Sequence, residues 1–169
     1  MTTPPPSDVP PHLDAARAAI ARDLGEVRAG VLEVLGGISE LWLPRMLHGA
    51  LERPGWTVQH EAAHHAADDA VLAALLEAAA QGIEAWGAPQ ARRVRGEAMH
   101  AVQRLRLAPL RAALEASAEH ALLALDTHAT LLDRPFALGA APAASIEALL
   151  RAQGERTRAG LEALRATFS

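Results

Sequence analysis

In four stretches of this 169-residue chain, apolar residues recur at steps of three and four, and segments rich in proline and glycine separate them. That period belongs to an α-helix with one buried face, because residues three and four apart lie above one another on a helix surface. In the first stretch, from about Leu13, the stripe is Ile20, Leu24, Val27, Val31, Leu35 and Ile38; it weakens at Gly36-Gly37 and must stop by Pro44. The second runs from Thr57, a candidate N-cap, to about Gln81. The third, about 93–132, carries Leu110, Leu114, Ala118, Ala121, Leu125, His128 and Leu132, with a kink or split expected at Pro109. The last, about 144–167, carries Ile146, Leu150, Gln153, Thr157, Leu161 and Leu164. Half the residues are apolar, yet there are only three Trp, two Phe and no Tyr; Ala and Leu dominate, which favours close-packed helices over sheets. The expected fold class is all-α, a four-helix bundle of long antiparallel helices, with no stretch reading as a strand. Residues 1–11 hold five of the eleven prolines and read as a tail ahead of a single domain, 12–169.

Composition excludes several functions. There is no cysteine, so disulfides, thiolate ligands and a cysteine nucleophile are ruled out. A net charge of −4 argues against a general nucleic-acid binder. The "ARRVR" run at 91–95 lacks interleaved aromatics and reads as a solvated face. No apolar run approaches membrane-span length and the N-terminus lacks the parts of a signal peptide, so no membrane partner and a cytoplasmic location are expected.

Coordinating chemistry is concentrated in "RPGWTVQHEAAHHAADD", 53–69, where His60, His64, His65, Asp68 and Asp69 fall within ten positions. His64 with Asp68, and His65 with Asp69, are i,i+4 pairs on two adjacent lines of the second helix, so each pair can bind one ion or satisfy itself. His128 lies on the third helix's apolar stripe. His12, His48 and His100 read as surface residues, His60 as a polar group of the helix's first turn, and Trp56 as a staple at the bundle end.

The stretch "PGWTVQHEAAHHAADD" resembles the helix-2 signature of the DinB/YfiT-like superfamily: Pro-Gly-Trp-Ser/Thr-Val, a His eight residues after the Trp, here His64, and an acid soon after, here Asp68 or Asp69. "LLDRPF" before the last helix fits as well. The resemblance implies a four-helix bundle, often dimeric, that holds zinc or nickel through the helix-2 His and an H-x-x-x-H pair on the last helix. It also implies chemistry on a low-molecular-weight thiol, which the metal would convert to its nucleophilic thiolate. Here the chain departs from the family. Its last helix, "SIEALLRAQGERTRAGLEALRATF", has no histidine. One register puts Arg156 and Gly160 at the ligand positions; the other puts Ala152 and Arg156 there.

Two readings of the site follow. In one, a remodelled metal site uses His64, Asp68 and His128, with His65 and Asp69 as alternates and Glu155 as a further oxygen donor. In the other no metal is bound tightly, and Arg156 replaces its charge by pairing with Asp68 or Asp69. The functional expectation is a DinB-like protein with a degenerate or remodelled divalent-metal site, related to metal-dependent thiol S-transferases. The alternatives are a non-catalytic small-molecule-binding or stress-associated protein and an Ala-rich helical dimerisation module. The partners expected are a second copy of the chain and a small thiol.

Overall fold

The computed structural model describes residues 9–48 and 55–169. Among them five helices form: α1 (Pro11–Gly36), α2 (Val58–Ala80), α3 (Ala88–Val102), α4 (Leu107–Thr127) and α5 (Ile146–Phe168). Of the expected tail, residues 1–8 lie outside the described residues. Pro11 instead opens α1, where a proline's missing N–H costs nothing and its fixed φ suits the helix.

The apolar stripes sort into two clusters, one at each end of the molecule. Leu13, Ala16 and Ile20 of α1 meet Leu72 and Leu76 of α2, Ala121 and Leu125 of α4, and Ile146 and Leu150 of α5. Val27, Val31 and Leu35 meet Val58, Ala62 and Ala66, Leu110 and Leu114, and Leu161 and Leu164. Each helix therefore has a direction: α1 and α5 run one way, α2 and α4 the other. The bundle is two parallel pairs set antiparallel to each other, not an alternation of antiparallel neighbours.

The expected third helix accounts for this order. Its break falls at residues 103–106, giving α3 and α4. Pro109 sits third in α4, where N–H groups have no intrahelical acceptor; a helix running through from α3 would set its ring against the carbonyl of Leu105. The chain must turn just upstream. Helix α3 then serves as the crossover that brings α4 back parallel to α2. It packs on α2 from outside and has no fully buried residue.

A small three-stranded sheet, which the periodicity did not suggest, caps one end. Strand β1 (Ala85–Trp86) pairs parallel with β2 (Pro135–Leu138), which pairs antiparallel with β3 (Ala144–Ser145). Strands of two to four residues are too short to show a two-residue period. What secures them is an edge-on contact between Trp86 and Phe136, centroids 5.6 Å apart, which closes the end of the core.

The alanine-rich face of α2 is consumed inside the bundle: Ala62, Ala63, Ala66, Ala67 and Ala73 are all buried, and α4 is the helix they pack against most extensively. That face is not available as a dimerisation surface. Among the described residues no helix is long and apolar enough to cross a membrane.

Candidate functional site

Between the two apolar clusters lies a layer of buried polar side chains: Arg28 from α1, Glu61, His65, Asp68 and Asp69 from α2, and Gln153 from α5. Helix α2 projects it as two lines, because adjacent residues are about 100° apart around a helix. One line looks towards α3, the other into the bundle.

The start of α2 is tightly built. The expected cap, Thr57, accepts from the His60 backbone N–H, and the Thr57 N–H donates to His60 Nδ1. His60 is thus the return partner of a capping box, a role usually taken by Glu or Gln, and not a simple surface group. Trp56 lies over His60 and meets His64 edge-on, while its indole N–H donates to Glu61 Oε2 at 2.6 Å.

On the outer line, Arg95 of α3 reaches His64 and Asp68 together. Its Nη1 stands 2.8 Å from His64 Nε2 and its Nη2 bonds Asp68 Oδ1. A guanidinium only donates, so His64 Nε2 must accept and the ring proton must sit on Nδ1. That N–H is 3.2 Å from Asp68 Oδ2, close but off the line of a good hydrogen bond. Burial alone would raise the Asp68 pKa, but His64 and Arg95 outweigh it and hold the carboxyl below its ordinary value. The Asp68 backbone carbonyl accepts from the Gln153 amide across the bundle.

On the inner line, Asp69 pairs with Arg28 at 2.6 Å and accepts from Ser117 of α4 at 3.1 Å. Arg28 also donates to the His65 carbonyl at 3.0 Å. Here burial wins and the Asp69 carboxyl is pushed up despite both partners. His65 is wholly buried, with Nε2 3.5 Å from Glu61 Oε1 and neither ring nitrogen hydrogen-bonded among the described residues. Burial first, and then the Arg28 charge, holds its pKa well below the ordinary histidine value, so it is neutral.

The expected residues are thus only partly brought together. His64 and Asp68 meet as predicted. His65 does not meet Asp69; it turns to Glu61, while Asp69 takes Arg28. His128 caps the far end of α4, eleven residues beyond Ser117, or roughly 16 Å along the helix, because α4 runs parallel to α2. It does not join His64 and Asp68. Arg156 and Glu155 are exposed, so the cations that face Asp68 and Asp69 are Arg95 and Arg28 instead. Arg28 left a trace in the sequence, a charge set four residues after Leu24 and three before Val31 within the α1 stripe. Arg95 left none: it is one of five residues in a run whose Arg92 and Arg93 are exposed.

Gly160 faces this layer. A Cβ there would overlap Glu61 Oε1 and lie 3.1 Å from His65 Nε2. Gly154, six residues earlier, has open space at the same point. Replacing Gly154 by Ala is expected to stabilise by about 0.5–1 kcal/mol through helix propensity alone. Gly160→Ala is expected to cost about 1–3 kcal/mol, since Glu61 must leave Trp56 to make room. Urea unfolding of the two variants, opposite in sign on one helix, checks this.

No family model and no curated protein matches the chain. Two solved structures do: a mycothiol-dependent maleylpyruvate isomerase and a variant of it with one histidine replaced by alanine. Each superimposes with a TM-score of 0.69 at 19% identity, over 97% of this chain and 63% of the isomerase's. The chain thus shares the helical fold of these two structures. The likeness is one of architecture, and the chain spans less than two thirds of the isomerase's length.

The DinB-like resemblance calls for a divalent metal, and the residues present do not fit one. The His64 lone pair and the Asp68 charge are both engaged by Arg95. On α5, Ala152 and Arg156 are exposed, and a side chain at Gly160 would collide with Glu61. The α5 side chain that reaches Asp68 is Gln153, neither an imidazole nor a carboxylate. Among the described residues, no three His, Cys, Asp or Glu side chains converge as a metal site would need.

Proposed function

We propose that this DinB-like protein is a remodelled relative of the metal-dependent thiol transferases, and that it acts in the cytoplasm as a non-catalytic small-molecule-binding protein. The observation that carries the reading is Arg95. Its guanidinium engages His64 Nε2 and Asp68 at once, supplying the positive charge that a bound ion would otherwise bring. Homodimerisation stays an expectation of the resemblance alone.

After metal-free purification, calorimetric titration with Zn²⁺ or Ni²⁺ is expected to show no stoichiometric uptake. A small thiol and an electrophilic probe are expected to conjugate no faster with the protein than without it. One equivalent of metal, lost in His64→Ala, would overturn the proposal and restore a metal-dependent thiol transferase. So would a rate enhancement that depends on His64.

A further inference from the structure

Helix α3 is held to the molecule differently from the other four. None of its 15 residues is fully buried. It adds part-buried side chains to the core, Ala91 and Val94 against one apolar cluster and Val102 against the other. By contrast α4, the next helix in the chain, buries Leu110, Leu114 and Leu125 completely. Among the described residues, the one α3 side chain hydrogen-bonded outside the helix is Arg95, to His64 and Asp68. Arg93 turns to Gln90 and Glu97, both within α3.

The ends of α3 are fixed and its middle is not. Ahead of it, β1 is paired with β2 and Trp86 meets Phe136. Behind it, the Gln59 amide donates to the Leu105 carbonyl at 2.8 Å. Gly96 follows Arg95 directly, and nothing lies within 4 Å of where its Cβ would be, so no close approach requires glycine there. A mid-helix glycine weakens the helix beside its polar attachment. Under that attachment lies Asp68, with no solvent exposure and a carboxylate paired with His64 and Arg95. Without Arg95, a closed α3 would leave the buried carboxylate short of its cation, while an open α3 would let water reach it.

We propose that α3 is a strap that opens without unfolding of the bundle, with Arg95 as its latch. Opening bares the His64 Nε2 lone pair and the Asp68 carboxylate together, two acceptors in reach of a ligand that carries paired N–H donors. The proposal goes beyond the small-molecule reading above, and the opening itself is measured on the protein without a ligand.

The test is hydrogen exchange of the full chain, read by mass spectrometry on peptides from each helix. In wild-type protein the α3 amides are expected to exchange about tenfold or more faster than those of α4 and α5. Arg95→Ala is expected to speed α3 by about another tenfold or more and to leave α4 and α5 unchanged. Gly96→Ala is expected to slow α3 alone, by about two- to fivefold. In Arg95→Ala, millimolar propylguanidinium is expected to restore slow exchange in α3. Propylamine, which lacks the fork that spans both acceptors, is expected not to. Equal exchange of α3, α4 and α5 in wild type, or acceleration of all three alike by Arg95→Ala, would overturn the strap, since α3 would then open only with the bundle. Should Arg95→Ala fail to fold, Gly96→Ala decides: slowing that is absent or shared by α4 and α5 would overturn it as well. Equal protection by propylamine and propylguanidinium would overturn the paired-donor chemistry of the latch.

Discussion

Asp69→Ala is expected to lose about 3–5 kcal/mol of stability, the usual result of stranding one partner of a buried ion pair. Arg28 and Asp69 are 4% and 2% exposed and sit 2.6 Å apart in the middle of the bundle. Without the carboxylate, Arg28 would keep one bond, to the His65 carbonyl, and an uncompensated charge. The raised Asp69 pKa shows that even the intact pair does not fully offset its own desolvation. Removing both charges together should therefore be mild: Arg28→Met/Asp69→Leu is expected to unfold at or above the wild-type urea midpoint. The combination separates an interaction that stabilises from one that only avoids a penalty. If Asp69→Ala alone were as stable as wild type, Arg28 would have another counter-charge and this account of the layer would be wrong.

Acid is expected to destabilise the fold through His65. Its folded pKa lies well below 6.5, while in the unfolded chain it returns to about 6.5. A depressed histidine pKa means that unfolding takes up a proton in the window between the two values. Stability is then full well above pH 6.5 and falls as pH drops towards the folded value, by up to about 1.4 kcal/mol per pH unit. Asp69 works in the opposite sense: its raised pKa favours the folded state as pH falls through that value towards 3.8. Asp68, with its lowered pKa, acts only below 3.8 and lies outside the window. The comparison that isolates His65 is His65→Leu, whose urea midpoint should lack that share of the pH dependence. Equal pH slopes in wild type and His65→Leu would show that the ring is not neutral and buried as described.

How far the sequence could be read is clear from particular residues. The stripes from Leu13 to Leu35, Val58 to Leu76, Leu110 to Leu125 and Ile146 to Leu164 placed the four core helices, since burial of one face imposes the 3.6-residue period directly. The Thr57 cap was legible because capping is local chemistry. The sheet was not, because Ala85–Trp86 and Ala144–Ser145 have no period of their own and are held only by the strand lying between them.

The candidate site divides the same way. Spacing alone placed His64 and Asp68 one turn apart, because four residues on a helix bring side chains together whatever surrounds them. It could not decide that Arg95 would meet them or that Arg28 would take Asp69. Nor could it place His128 and Arg156 away from them. Those outcomes depend on the direction of α4 and the rotation of α5. The direction follows from a four-residue turn at 103–106, and the rotation is the one that sets Gly160, not a side chain, against Glu61. The sequence by itself determined which residues of each helix face inward; only the tertiary structure decided which of them face one another, because pairing across helices depends on direction and azimuth, and a one-dimensional period carries neither.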